Sequence, residues 1–316
     1  MSQRKLLGGL ACAIAAVAIF PAVAHAWTPG THIFLGESVL ANLAVLPGWV
    51  AELLRSFPYD FLYGSIAADT SIAKKYAPVG RHCHSWKVGR EIYELATTDP
   101  LKAFGLGYLA HLAADSVAHN HFVPRQLVIT SRTIALGHSW WESRFEAHLG
   151  NHYARTAKDL IRQDHGTSDG HLDEILSPTI FSVRTGRRIF RGMVGLTETQ
   201  SWQTVFRAVA EASRWDLPED DIDAQMEVSF NLIIDLLRNM NGALSTAERL
   251  DPSGESSLHL AKTIRLDVLK GAISTDIGKL TNIADEHFAL PEYPHSFWRD
   301  LSVSRPWNAH TNAEQA

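Results

Sequence analysis

Cysteine is nearly absent from this chain of 316 residues, which contains only Cys12 and Cys83. Two cysteines cannot assemble a four-thiolate zinc site or a disulfide framework, so both classes are excluded. Folding must therefore depend on a packed core, on metal bound through nitrogen and oxygen, or on both. The chain is 46% hydrophobic, which supplies ample apolar surface for such a core and excludes an intrinsically disordered protein.

Long apolar runs, strand patterns and positive charge are also scarce. The longest apolar run, residues 6–20, is shorter than the roughly 20 residues that cross a membrane. No series of alternating apolar and polar residues is joined by Asn-Gly or Asp-Gly turns, which argues against a β protein. The formal net charge of −5 provides no general basic bias of the kind that nucleic-acid-binding proteins use.

Residues 1–26 have the pattern of a secretory signal peptide. Arg4 and Lys5 precede the apolar run, and Ala24-His25-Ala26 forms a small-x-small cleavage site. Cleavage would leave residues 27–316, which begin with Trp27, contain only Cys83 and carry a charge of −7, because the removed segment has two basic and no acidic residues. We therefore expect a secreted or periplasmic protein without an intramolecular disulfide.

Helical periodicity is the main pattern of the remaining chain. It predicts helices over residues 33–46, 86–96, 101–123, 140–163, 201–213, 222–244 and 257–280. Proline and glycine fall between these segments, and no linker or internal repeat is present. The sequence predicts one all-α, multi-helix domain over residues 27–316, with an irregular tail after Leu290.

Histidine is abundant, and its distribution is uneven. Nine of the sixteen histidines lie between His32 and His152. Within the apolar segment 99–124, His111, Asp115 and His119 recur at every fourth residue and share one stripe of a helix that we expect Pro124 to end. An unpaired carboxylate and two imidazoles are costly on a buried stripe, so the spacing predicts a metal site.

Other candidate ligands lie on either side of this helix. His138 and Glu142 are spaced i and i+4 at the start of a predicted helix, and Asp69 follows a run of small residues. The remaining candidates are a pair of histidines before a helix and one near the end of the central helix: His82, His84 and His121.

In their order along the chain, these residues resemble the zinc-dependent phospholipase C family. Related zinc nucleases that cut single-stranded nucleic acid share the same helical fold. The resemblance runs from Trp27 to Glu142, and the later part of the chain agrees only in being helical.

The resemblance implies up to three zinc ions between buried helices. The first would be held by Asp69, His82, His111 and Asp115. Asp115 would bridge to a second ion, bound also by His32 and by the α-amino nitrogen and carbonyl oxygen of Trp27. The third would be held by His119, His138 and Glu142.

Two ligand positions remain open at this point. His82 is preferred by its order in the chain, but His84 is an alternative. His119 is preferred because it continues the stripe, whereas the spacing of other family members would select His121.

The function implied by the resemblance is zinc-dependent hydrolysis of a phosphodiester. A phospholipid would yield diacylglycerol and a phosphorylated head group, with Asp69 as a ligand that also accepts a proton from the attacking water. Transient contact with a membrane surface is expected, and no protein partner is inferred. The alternatives are a zinc nuclease, for which Arg184, Arg187, Arg188 and Arg191 form a local basic cluster, and a non-catalytic zinc-binding helical protein.

Overall fold

The computed structural model describes residues 27–71, 81–133, 137–176, 183–197, 200–211, 213–242 and 244–291. All regular structure in these ranges is helical, and no strand occurs in them. The prediction of an all-α fold is therefore confirmed. The α-helices are α1 (Pro29–Ala41), α2 (Gly48–Ser56), α3 (Pro58–Ala67), α4 (Trp86–Glu94), α5 (Asp99–Val117), α6 (Val123–Ile129), α7 (His138–Leu149), α8 (Asn151–Ile161), α9 (Gly166–Ile175), α10 (Val183–Thr197), α11 (Gln200–Glu211), α12 (Glu219–Arg238), α13 (Glu255–Leu269) and α14 (Ile277–Phe288).

Helix α5 forms the centre of the protein. From Ala103 to Val117 every residue of α5 is buried, and the helix packs against α3, α4 and α12. Two glycines make the contact with α3 close. A Cβ on Gly64 would lie 2.1 Å from the carbonyl oxygen of Phe104, and one on Gly107 would lie 2.0 Å from that of Phe61. Only hydrogen side chains at these two positions permit the observed distance between the helices.

Pro124 does not end this helical segment, which corrects the expectation from the sequence. A π-helical turn, Ala118–Phe122, follows α5 and leads directly into α6. Pro124 lies in the first turn of α6, where the backbone N–H that proline lacks would not be needed for a regular α-helical bond. The π turn contains His119 and His121, and such turns occur often at functional sites.

Two longer predicted helices are each divided by a glycine with a positive φ angle. Gly150 has φ of 85° and separates α7 from α8, whereas Gly271 has φ of 77° and follows α13. Both values lie in the left-handed region that favours glycine. Helices α2, α3, α9 and α10 were not predicted. The predicted signal peptide and most of the tail after Leu290 lie outside the described residues.

None of the helices within the described ranges combines the length and the apolar character required to cross a membrane.

Candidate metal centre

Three groups of histidine and acidic side chains meet around α5. In each group the potential ligand atoms lie within 4.8 Å of one another. All members are buried except His138, which is partly exposed. The groups are His32, His111 and Asp115; Asp69, His84 and His111; and His119, His138 and Glu142.

Asp115 stands between the first two groups. One of its oxygens, Oδ1, lies 3.2 Å from Nε2 of His32. The other, Oδ2, lies 2.8 Å from Nε2 of His84 and 3.1 Å from Nε2 of His111. Oδ1 therefore faces His32 and Oδ2 faces His84 and His111, and a carboxylate with its two oxygens divided in this way could bridge two cations.

The carboxylate of Asp69 lies near the same imidazole nitrogens but is contributed by a different element of the chain. It lies in the 3-10 turn Ala68–Thr70 after α3, and its Oδ1 is 3.4 Å from Nε2 of His84 and 4.0 Å from Nε2 of His111. The two Nε2 atoms are 3.1 Å apart. Two imidazole nitrogens and two carboxylates thus converge on one small, fully buried volume.

Burial and charge shift the pKa values in this volume. Burial in the core lowers the pKa of His32 to about 4, although the neighbouring Asp115 opposes this shift. Burial by itself would raise the pKa of Asp115, but the charge of His111 and the close approach of the imidazole nitrogens of His111, His32 and His84 hold that pKa well below its ordinary value. Asp115 is therefore ionised and His32 neutral near neutral pH, as metal ligation requires.

The outer contacts of these ligands come from backbone carbonyls and one thiol. Nδ1 of His111 is 2.9 Å from the carbonyl oxygen of Ser65. Nδ1 of His84 is 3.2 Å from Sγ of Cys83, whose carbonyl accepts a hydrogen bond of 2.7 Å from Tyr108. These contacts fix the planes of both rings and direct their Nε2 atoms inward.

The third group is built by the π turn and the start of α7. Nε2 of His138 lies 2.6 Å from Oε1 of Glu142, and the ring centroids of His119 and His138 are 5.1 Å apart. The ring of His119 is also 6.2 Å from that of His84. The three groups therefore form one continuous centre.

The structure brings His84, and not His82, into the group with Asp69. His82 is only partly buried, and its Nδ1 accepts a hydrogen bond of 3.0 Å from the backbone N–H of His84. It supports the loop and forms a separate group only with Cys83 and His84. The geometry therefore favours His84 as the ligand, although the order of residues along the chain favours His82.

His119, and not His121, lies in the group with His138. His121 is directed toward the end of α14, where it interacts with the backbone of Phe288 and Ala289, and burial lowers its pKa. The geometry agrees with the preference for His119 that its position on the stripe had given.

Trp27 lies beside the centre. Its side chain is fully buried, and its indole Nε1 donates a hydrogen bond of 3.0 Å to the carbonyl of Ala114, the residue before Asp115. The indole also packs on Phe122 and Phe145. Trp27 is therefore anchored one residue from Asp115 along α5.

The donor set fits zinc. Its atoms are imidazole nitrogens and carboxylate oxygens, which zinc prefers when thiolates are absent. Nε2 of His32 and both oxygens of Asp115 are buried without a hydrogen-bond partner of good geometry. Buried polar atoms in this state are costly, and a divalent cation would satisfy all of them.

Residues 31–180 match the model of the family described as zinc dependent phospholipase C, which confirms the resemblance for that part of the chain. The match includes every candidate ligand except Trp27. No curated protein and no solved structure matches the chain significantly.

Sequence reasoning missed the outer contacts of the centre. The carbonyl of Ser65 and the carbonyl of Pro252, which is 2.7 Å from Nδ1 of His119, belong to residues without a chemical signature. In the sequence, Pro252 and Gly254 indicate only a break between two helices. The thiol of Cys83, adjacent to a candidate histidine, was the one available signal.

Proposed function

We propose that the protein is a zinc-dependent phosphodiesterase of the phospholipase C type, which hydrolyses a phospholipid to diacylglycerol and a phosphorylated head group. The observation that carries the proposal is the convergence of Asp69, His84, His111 and Asp115 on one buried volume, together with the family match. When bound, zinc neutralises phosphate oxygens and lowers the pKa of water.

The protein's own groups have distinct tasks in this reaction. The two oxygens of Asp115 hold the neighbouring ligand groups at a fixed separation. Asp69 faces the same volume and accepts a proton from the attacking water. The buried rings of His84 and His111 present their Nε2 atoms to the same volume and would hold zinc there together with the two carboxylates.

Measurement of zinc and of hydrolysis tests the proposal. The chain beginning at Trp27 is expected to bind zinc and to hydrolyse a phosphocholine ester, with activity lost on chelation and restored by zinc. Asp115→Asn should lose two metals at once because this residue bridges two groups. His152→Gln, at an exposed side chain, is the matched control. Stoichiometric zinc without hydrolysis of any phosphodiester would instead support a non-catalytic zinc protein.

A nuclease is the less well-supported alternative. The basic cluster on α10 does not present four available charges, because Arg187 is buried and pairs with Asp169 at 3.1 Å and with Asp173 at 2.9 Å. Arg184 and Arg188 are exposed, which matches the expected solvated face. Single-stranded DNA as the second substrate in the assay above separates the two activities.

We also propose export and cleavage after Ala26, followed by metal binding through the new amino terminus of Trp27. The position of Trp27 next to Ala114 supports this proposal. Mass spectrometry of the exported protein should find Trp27 as the first residue. A chain with one extra serine before Trp27 should bind zinc more weakly, and equal affinity would argue against the chelate.

A membrane surface is the expected place of contact with substrate, although the buried Trp140 and Trp141 do not contribute to it.

A further inference from the structure

The orientation of His119 is determined by a turn that is distant in sequence. Nδ1 of its ring lies 2.7 Å from the carbonyl oxygen of Pro252. A carbonyl oxygen only accepts hydrogen bonds, so Nδ1 must carry a proton, and in the neutral ring Nε2 then keeps its lone pair. The lone pair of Nε2 is what a cation shared with His138 and Glu142 would need.

The turn itself is built by the side chain of Asp251. Its Oδ1 accepts the backbone N–H of Ser253 at 2.9 Å, and its Oδ2 accepts that of Glu255 at 3.1 Å. The hydroxyl of Ser253 donates to the same carboxylate. These bonds fix the backbone on both sides of Pro252, and α13 begins immediately afterwards.

The turn also contacts the π helix directly. Gly254 has φ of 58°, and a Cβ at this position would lie 2.4 Å from Cβ of His119. Asn120 donates from Nδ2 to the carbonyl of Asp251 at 2.7 Å and accepts at Oδ1 from the hydroxyl of Ser257 at 2.9 Å. The turn therefore contacts the backbone of His119 as well as its imidazole ring.

Within the described residues, the third group has an outer contact from the later part of the chain, the carbonyl of Pro252. The contacts described for His111 and His84 come from Ser65 and Cys83, which lie inside the family match at residues 31–180. Pro252 lies 72 residues beyond the end of that match. The chain thus completes its metal centre with an element outside the family segment.

We propose that the turn from Asp251 to Gly254 is a positioning element for His119, and that Asp251 is the positioning residue that holds the Pro252 carbonyl on the ring. This inference rests on the metal binding of the proposed function. It predicts that loss of the Asp251 carboxylate weakens zinc at the third group and leaves zinc at the other two groups unchanged.

The test is a zinc titration of the whole chain against a chromophoric chelator. The zinc of the third group is first identified as the fraction lost in Glu142→Gln. Asp251→Ala should weaken this fraction about 10–100-fold, the range typical of lost outer-shell contacts. Asp251→Asn should restore it in part, because the amide oxygen accepts the backbone N–H of Ser253 whereas the NH2 group cannot accept that of Glu255.

Asp276→Ala is the matched control. Asp276 accepts the N–H of Lys279 at 3.0 Å at the start of α14, so its removal also deletes a helix cap but does not affect the contact with His119. The inference is overturned if Asp251→Ala binds this zinc as wild type does, or if Asp276→Ala weakens it equally. Absence of zinc from the wild type would instead overturn the proposed function.

A second measurement does not depend on the stability of the variants. In wild-type protein labelled with ¹⁵N-histidine and stripped of metal, the ring of His119 should be the tautomer protonated at Nδ1. Protonation at Nε2 would contradict the role of the Pro252 carbonyl.

Discussion

At the scale of single residues, side-chain direction decides which of two neighbouring histidines enters the centre. Nε2 of His84 is 2.8 Å from Asp115, whereas His82 supports the backbone of the loop. We expect His84→Ala to remove zinc from the group with Asp69, and His82→Ala to keep it. Zinc per chain after dialysis measures both. Equal losses in the two variants would contradict the geometry.

Glu248 provides a residue-scale prediction about pH. Burial alone would raise the pKa of Glu248, but bonds from Ser245 and Arg90 lower that pKa below its ordinary value of 4.5. A folded pKa below the unfolded one stabilises the protein above the unfolded value, and this stabilisation is lost as pH falls through the folded pKa. Glu248→Gln should therefore lower the free energy of unfolding by about 1–2 kcal/mol near neutral pH.

The same difference should shrink in acid, because wild-type Glu248 is then itself protonated. Chemical denaturation near neutral pH and at a pH below the folded pKa of Glu248, which itself lies below 4.5, measures it. The control is Glu52→Gln, since Glu52 is 72% exposed in its pair with Arg55 and such pairs contribute little. A difference that is constant with pH would show that the bonds of Glu248 do not depend on its charge.

At the scale of helices, periodicity located the elements but not their interruptions. Apolar spacing predicted α5 because every residue from Ala103 to Val117 is buried. It could not predict the π turn, because a π turn depends on tertiary contacts such as those of Gly254 with His119. The break at Gly150 was missed because a glycine inside a helical pattern is also compatible with a continuous helix.

The contact between α3 and α5 makes a prediction about glycine. A Cβ on Gly107 would lie 2.0 Å from the backbone oxygen of Phe61, so the two helices would have to separate. Gly107→Ala should destabilise the protein by about 1–3 kcal/mol or more, as overpacking does. On α10, a Cβ on Gly192 would have nothing within 4 Å. Gly192→Ala should therefore stabilise the protein slightly, because alanine has the better helix propensity. Thermal unfolding of both variants measures the contrast, and equal shifts would contradict it.

At the scale of the whole molecule, part of the candidate centre could be predicted from the sequence. Spacing identified the candidate ligands on α5 and α7, which are His111, Asp115, His138 and Glu142, because both residues of an i, i+4 pair lie on one helix face. It did not indicate which loop residue joins them, since Asp69 and His84 meet only through the packing of α3 and α4 on α5. The support from Pro252 was beyond sequence reasoning, because a backbone carbonyl has no residue-specific signature.

The buried centre predicts that metal and global stability are coupled. Asp69, Asp115, His111 and Glu142 are each at most 1% exposed, and the carboxylates of Asp115 and Glu142 face histidine nitrogens at 2.6–3.2 Å. These groups converge only in the folded protein, so a cation that they hold binds only the folded state. A ligand that binds only the folded state stabilises it by about 2.7 kcal/mol when present at a hundredfold excess over its Kd. Chelation should therefore lower the melting temperature, and added zinc should restore it. Asp115→Asn, which lacks the bridging charge, should respond much less to both treatments. If chelation lowers the melting temperature of Asp115→Asn and of the wild type equally, metal is not bound at this centre.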